Sequence, residues 1–176
     1  MAPEPVVLDT DTLSELSRGN ILVKARAVSY LAEFGRLTIT AVTVFERLRG
    51  YRAAIRAGKP FERQLQAFEA LVANCVVLPF DQAAAAVAAD IWSASTRSRR
   101  RQLGDILIAA VAVSRQIPLA TRNKRDFQQL TKASGVNLRL VDWTIVTPRA
   151  AGGTRDEVHN TRLHPTTAEL SMSGRW

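Results

Sequence analysis

The chain has 176 residues, 47% of them apolar, so it can bury the core of one ordinary domain and is too short for two large ones. Its single cysteine excludes an internal disulfide and a multi-cysteine zinc site. The formal net charge of +8 indicates a polyanionic partner such as RNA or DNA, although basic residues that only keep the protein soluble would give the same excess.

Short apolar strands alternate with helical patterns in the first half of the chain. Helical patterns have apolar residues on one face, and the strands are brief apolar runs. Gly19-Asn20 and Gly58-Lys59-Pro60 are stop-and-turn signals between helices. The predicted elements are a strand at 5–8, helices at 12–18 and 21–34, a strand at 36–40, helices at 42–57 and 61–73, and a strand at 75–78.

The second half continues the alternation. A long alanine-rich helix is predicted to begin at Asp81 and becomes basic at 96–101. The next helix, at 105–115, is apolar nearly all round, so we expect it to be buried to its tip. The remaining predicted elements are a strand at 118–120, a short helix at 125–131 and a last strand at 138–141.

This order predicts an α/β fold with a mostly parallel, short-stranded central sheet flanked by helices on both faces. We expect one Rossmann-like domain at 1–147, followed at 148–176 by a polar C-terminal extension that is mobile or left over from expression. Both histidines, His159 and His164, lie in that extension, so the folded part has none. No apolar run approaches the ~20 residues that cross a bilayer. The N-terminus does not resemble a secretory signal, so we expect a cytoplasmic protein without a membrane partner.

Without histidine, carboxylates are the available catalytic groups, and four of them lie where a predicted strand gives way to a helix. Asp9 follows the first strand directly, and Glu46 lies shortly after the second. Asp105 opens the apolar helix, and Asp126 lies shortly after the strand at 118–120. The carboxyl ends of parallel strands form the ligand crevice of such sheets, so these acids can converge.

Each acid also has a structural explanation. Asp9 could cap the following helix, although it precedes the predicted helix start by several residues. Thr43-x-x-Glu46 matches a capping box, in which the glutamate reaches back to the first amide. Asp105 could cap its helix or complement the helix dipole. Asp126 could belong to a cap pair or to a solvated turn. Their shared position in the topology, and not any single residue, supports a site.

Carboxylates that lie close together repel each other unless a cation compensates their charge. Oxygen ligands without histidine or cysteine suit Mg²⁺ or Mn²⁺. Such ions bind phosphates and can activate water for attack on a phosphodiester. A basic rim would hold the nucleic acid backbone beside this centre, although the first four candidates could also be an ordinary solvated helix end. The candidates for the rim are Arg97, Arg99, Arg100, Arg101 and Arg122.

Four stretches of the chain stand in a distinctive order: VVLDTDTLSEL, TAVTVFERLRG, GDILIAAVAVSRQIPLATRNKRDF and the closing VDW. Together they resemble the PIN-domain family, and within it VapC-type toxins of bacterial toxin–antitoxin pairs, over about residues 5–143. The resemblance implies a metal-dependent endoribonuclease that cleaves RNA. It also implies a homodimer and a cognate VapB-like antitoxin, a segment of which covers the acidic groove.

The resemblance extends to individual residues. It implies supporting polar roles for Thr121 and Asn123. Asp11 stands where the family commonly has asparagine, which adds a negative charge beside the site. The acidic quartet around Mg²⁺ or Mn²⁺ would be made by Asp9, Glu46, Asp105 and Asp126.

Two other functions stay open. LDTDTL resembles the D-x-D motif of haloacid dehalogenase-like phosphatases, in which Asp9 would be the nucleophile and Asp11 the acid and base. The glycine and threonine that usually follow that motif are shifted here, and GDILIAA lacks the second acid of that class. The other alternative is a non-catalytic module that binds RNA or a protein, and it predicts RNA binding that is indifferent to divalent ions.

Overall fold

The computed structural model describes residues 4–146, which form a parallel five-stranded sheet with helices on both faces. The strand order is β3-β2-β1-β4-β5, and every neighbouring pair is parallel. Val7 in the central strand pairs with Thr38 on one side and with Leu119 on the other. The predicted α/β class and all five predicted strands are confirmed.

The elements are short and regular, and most of their boundaries differ from the predicted ones by a few residues. The predicted extent of the alanine-rich helix is wrong, because the helix ends at Ala94 and Arg99–Arg101 form a separate 3₁₀ turn. In chain order they are β1 (Val7–Leu8), α1 (Thr10–Arg18), α2 (Ile21–Phe34), β2 (Thr38–Thr40), α3 (Ala41–Arg56), α4 (Glu62–Ala73), β3 (Val76–Leu78), α5 (Gln82–Ala94), a 3₁₀ turn (Arg99–Arg101), α6 (Leu103–Ser114), β4 (Leu119–Ala120), α7 (Lys124–Lys132) and β5 (Leu140–Val141).

The core has two parts, one on each face of the sheet. Val6 and Leu8 pack into a cluster with α1, α2 and α4, whereas Val7 packs into the other cluster with α5, α6 and α7. Successive side chains of a strand point to opposite faces, so a run of three apolar residues is what a strand with both faces covered requires.

Helix α6 lies in the second cluster, and its start borders the site described below. Ile106 is fully buried, as are the residues from Ile108 to Ala112. The helix begins at Leu103, two residues before the predicted start, and Leu103 is 49% exposed, so full burial begins at Ile106 and not at the first residue of the helix. The first turn of α6 therefore runs from an exposed Leu103 at the edge of the fold to a fully buried Ile106, with Asp105 partly buried between them.

The predicted extension at 148–176, with His159 and His164, lies outside the described residues, so its boundary and character stay predictions. Within residues 4–146, none of the helices combines the length and the apolar composition needed to cross a membrane.

Candidate active site

The carboxyl ends of three neighbouring strands meet at one edge of the sheet. Asp9 follows β1 directly, β2 ends at Thr40, and Thr121 follows β4 directly. Because β1 lies between β2 and β4, these strand ends lie side by side, and the Asp9 and Thr121 side chains meet although 112 residues separate them in sequence. Ligands of open parallel sheets bind at this edge.

Asp9 is the most deeply buried of the predicted acids, with 4% of its surface exposed. Its carboxylate accepts hydrogen bonds from the Thr10 amide at 2.7 Å and from the Thr121 hydroxyl at 2.9 Å. Burial, followed by the charge of Asp11, raises the pKa of Asp9 to about 8. The predicted helix start at Thr12 is wrong, because α1 begins at Thr10 and Asp9 itself is its N-cap.

Asp105 lies in the first turn of α6, two residues inside the helix that it was expected to open. Burial, followed by the charges of Glu46, Asp126 and Asp11, raises the pKa of Asp105 to about 6. The charge of Asp105 also contributes to the raised pKa of Asp9. The structure therefore brings the four predicted acids and Asp11 into one electrostatic neighbourhood.

Glu46 reaches this neighbourhood from the second turn of α3. The capping box predicted for Thr43 and Glu46 is wrong, because Thr40 is the N-cap and its hydroxyl accepts the Thr43 amide at 3.0 Å. Glu46 is too far along the helix to reach back to the cap. Its carboxylate instead accepts a hydrogen bond from the Thr10 hydroxyl at 2.8 Å. The glutamate is therefore aimed at the start of α1 and towards the predicted site.

Asp126 lies at the margin of the group. The Asn123 side-chain amide donates to its carboxylate at 2.8 Å, but the Asn123 side chain accepts no amide of α7, so the two residues form a side-chain pair and not the cap pair that the sequence suggested. The backbone amide of Asn123 donates to the Thr121 hydroxyl at 3.0 Å. These bonds link Asp126 to Asp9 through the side chain and backbone amide of Asn123 and the Thr121 hydroxyl, although Asp126 does not line the cavity that holds the other acids.

Asp11 anchors the loop after β4. Its carboxylate accepts the Arg122 backbone amide at 3.2 Å, and the Thr121 hydroxyl lies 3.4 Å away. One turn later on α1, Glu15 makes ion pairs with Arg18 at 3.0 Å and with the Arg122 side chain at 3.3 Å. Two carboxylates of α1 therefore hold Arg122 by its backbone and its guanidinium.

A cavity of about 380 Å³ opens at this edge of the sheet. We call it the acidic groove. It joins three of the predicted acids to polar and basic groups of α1 and of the loop after β4. Its lining residues are Asp9, Thr10, Asp11, Ser14, Arg18, Glu46, Asp105, Arg122 and Asn123.

The acidic groove has the oxygen donors of a divalent metal site, but its carboxylates are not arranged around a common point. Among residues 4–146, no three Asp, Glu, His or Cys side chains are arranged to hold a metal ion. Asp9, Glu46 and Asp126 each point an oxygen at a hydroxyl or amide donor of the protein. Burial and neighbouring carboxylates raise the pKa values of Asp9 and Asp105, and a nearby cation would offset the repulsion between these charges. Oxygen ligands of this kind suit Mg²⁺ or Mn²⁺.

The predicted basic rim divides into two groups. Arg99 donates two hydrogen bonds to Gln129, at 2.7 and 2.8 Å, and Arg100 stacks on Trp92 with its guanidinium 3.9 Å from the ring centre. Both guanidiniums therefore hold the chain segment before α6 in place. Arg97 and Arg101 are exposed, and only Arg122 of the five predicted arginines lines the acidic groove.

Sequence reasoning missed Thr10, Ser14 and Arg18, all of which line the groove. Helical spacing could have found two of them, because positions 14 and 18 follow Asp11 on one face of α1. Thr10 had no such signal, since its partner is Glu46, 36 residues away.

A family model described as the PIN domain matches residues 6–133. Ribonuclease VapC1 of Haemophilus influenzae (strain R2866) is 28% identical over 141 residues, which are 78% of this chain and 97% of that protein. The structure of DNA-bound VapBC from Salmonella typhimurium has a TM-score of 0.61 at 23% identity and covers 80% of this chain and 99% of its own. VapBC-1 from nontypeable Haemophilus influenzae has a TM-score of 0.60 at 25% identity, with coverages of 80% and 98%.

Proposed function

The chain belongs to the PIN-domain family, and on that premise we propose that it is a metal-dependent endoribonuclease of the VapC type, the toxin of a toxin–antitoxin pair. The observation that carries the proposal is the acidic groove, where the buried Asp9 meets Asp105 and Glu46 beside two arginines. The relative named Ribonuclease VapC1 aligns over most of both chains, which supports RNA as the substrate.

The carboxylates of Asp9 and Asp105 would hold a Mg²⁺ or Mn²⁺ ion, and those of Glu46 and Asp126 would turn to complete the set. When bound, the ion would neutralise the acids and polarise the phosphate that is attacked. Thr121 and Thr10 keep Asp9 and Glu46 oriented through their hydroxyl groups.

The arginines on the wall of the groove would bind the RNA backbone. Arg122 lies in the groove, fixed through its amide by Asp11 and through its guanidinium by Glu15. Arg18 shares the Glu15 carboxylate. Hydrogen bonds from Asn20 and Arg18 lower the pKa of Glu15, so it stays charged and keeps the two guanidiniums together. A phosphate would therefore meet positive charge on one side of the acidic centre.

A cognate antitoxin of the VapB type is part of the proposal, because two structures with the same fold are described as VapBC. An antitoxin segment that covers the acidic groove would exclude RNA from the carboxylates. A homodimer is likewise proposed from the resemblance, and its test is the mass of the purified protein in solution.

In the decisive experiment, the purified protein is incubated with a structured RNA and Mg²⁺ or Mn²⁺, with and without EDTA, and cleavage is measured. We expect EDTA to stop cleavage, and Asp9→Asn or Asp105→Asn to slow it by on the order of 100-fold or more without loss of folding. Asp90→Asn, an exposed aspartate of α5, is the matched control and should cleave normally. Undiminished cleavage by Asp9→Asn and Asp105→Asn would reject the assigned roles.

The same experiment separates the alternatives. A non-catalytic module would bind RNA equally with and without divalent ions and would leave it intact. A phosphatase would release phosphate from small esters through a phosphorylated Asp9. The family membership favours neither alternative.

A further inference from the structure

We propose that Gly104 is a positioning residue, whose missing side chain leaves the space in which the Glu46 carboxylate lies. A β-carbon placed on Gly104 would overlap Oε1 of Glu46 and would stand 2.9 Å from its Cδ. The inference deepens the proposed nuclease function and rests on it for its catalytic consequence. The packing of Glu46 on Gly104 can be tested without that function.

The backbone does not demand glycine at this position. Gly104 lies inside the first turn of α6 and is not among the described glycines with positive φ. Glycine inside a helix is less favourable than alanine, because glycine has more backbone freedom in the unfolded chain and loses it when the helix forms. A glycine that costs helix stability without serving a turn needs another reason, and the three atoms nearest to its missing β-carbon, apart from the backbone of its own helix, all belong to Glu46.

Glu46 is held between the starts of two helices. The Thr10 hydroxyl of α1 donates to Oε2 at 2.8 Å, and the bare Cα of Gly104 in α6 faces Oε1. The charge of Glu46 contributes to the raised pKa of Asp105, the next residue of α6. Any side chain at position 104 would displace the carboxylate from the position in which it accepts the Thr10 hydroxyl. The end of a glutamate side chain is flexible, so we expect the fold to tolerate this displacement.

The kinetic test compares Gly104→Ala with Gly50→Ala. Gly50 also lies inside a helix, in α3, and a β-carbon there would meet nothing within 4 Å. We expect Gly104→Ala to lower kcat for RNA cleavage at least about tenfold with little change in KM, because a misplaced group costs rate more than binding. Gly50→Ala should cleave like the wild type.

A double-mutant cycle shows whether the loss passes through Glu46. In a Glu46→Ala background, Gly104→Ala should cause no further loss of kcat, since the displaced group is already absent. A wild-type rate for Gly104→Ala, or the same fold-loss in both backgrounds, would overturn the proposal.

Thermal unfolding without metal gives a readout that does not depend on nuclease activity. Gly50→Ala should raise Tm by roughly 2–4 °C, the usual gain from a tolerated glycine replacement in a helix. Gly104→Ala should show this gain in the Glu46→Ala background and a smaller gain, or a loss, when Glu46 is present. Equal Tm changes for Gly104→Ala with and without Glu46 would reject the packing of Glu46 on Gly104. If the wild type does not cleave RNA, the nuclease proposal fails and this comparison alone decides the role of Gly104.

Discussion

At the scale of a single residue, Asp9 shows that a role in helix capping does not exclude the proposed catalytic role. Its carboxylate closes the start of α1 through the Thr10 amide and accepts the Thr121 hydroxyl from a different strand end. A helix that starts directly after a strand places its N-cap at the carboxyl edge of the sheet, where ligands bind. The capping role is therefore the means by which the chain fixes this acid in the groove.

The raised pKa of Asp9 predicts a pH dependence of stability in the metal-free protein. Its ordinary value is 3.8 and its value in the folded protein is about 8, mainly because of burial. Between these pH values the folded protein keeps a proton that the unfolded chain has lost. The free energy of unfolding should therefore fall as the pH rises from about 4 to about 8. Asp105, with a pKa of about 6, adds to the lower part of this fall.

Asp9→Asn removes the Asp9 part of this dependence, because asparagine stays neutral and can still cap α1. In EDTA, the variant and the wild type should have similar Tm values near pH 4, and the variant should melt roughly 5 °C higher near pH 8. Thermal scans at both pH values measure the difference, with Asp90→Asn as the exposed control. A Tm difference between variant and wild type that does not change with pH would contradict the burial of an uncompensated charge at Asp9.

Individual contacts were the hardest part to predict from the sequence. The acids were found because carboxylates at strand ends are chemically conspicuous. The bonds that orient them were missed, since Thr10 with Glu46 and Asp11 with Arg122 join distant parts of the chain. Asp11 looked like an additional acid of unassigned role, and only the folded loop shows that it holds the amide after Thr121.

At the scale of elements, the strands and helices were predicted correctly in kind because their apolar patterns are strong. Their starts were less accurate, since a helix begins where a side chain accepts the first free amides. Thr40 competed with Thr43 as the cap of α3, and both are threonines followed by apolar residues. In the structure β2 ends at Thr40 and α3 begins at the next residue, and local sequence does not carry the information that the strand passes directly into the helix.

Helix α5 offers a test of capping that is separate from the groove. The Asp81 carboxylate accepts the Ala84 amide at 3.0 Å and pairs with Arg115 at 2.7 Å. We expect Asp81→Ala to lower the free energy of unfolding by about 1 kcal/mol through the lost cap. Asp81→Asn keeps a capping oxygen and loses only a partly exposed ion pair, so its cost should be near zero to 1 kcal/mol. Urea unfolding measures both.

RNA cleavage by both Asp81 variants should match the wild type, because α5 begins away from the acidic groove. Equal destabilisation by alanine and asparagine would assign the effect to the ion pair with Arg115 and not to the cap.

At the scale of the whole molecule, the strand order decides which residues meet. β1 and β4 are far apart in the chain and adjacent in the sheet, and this adjacency puts Thr121 on Asp9. The rule that parallel strands gather their carboxyl ends was enough to predict one shared site. It could not predict which arginines would face that site, because Arg99 and Arg100 are held by side chains and carbonyls that only the folded chain brings near.

The net charge of +8 predicts that RNA binding weakens as salt rises, and the groove identifies one arginine that should contribute to it. Arg122 lines the groove, so its guanidinium is placed to meet a phosphate. In an Asp9→Asn background that prevents cleavage, Arg122→Gln should weaken RNA binding and reduce the slope of log K against log salt by about 0.7 to 1. Arg63→Gln, an exposed residue of α4, is the matched control and should leave that slope unchanged. Binding titrations at several salt concentrations measure both variants, and equal slopes for Arg122→Gln and the parent would mean that the RNA backbone does not pass along this wall of the groove.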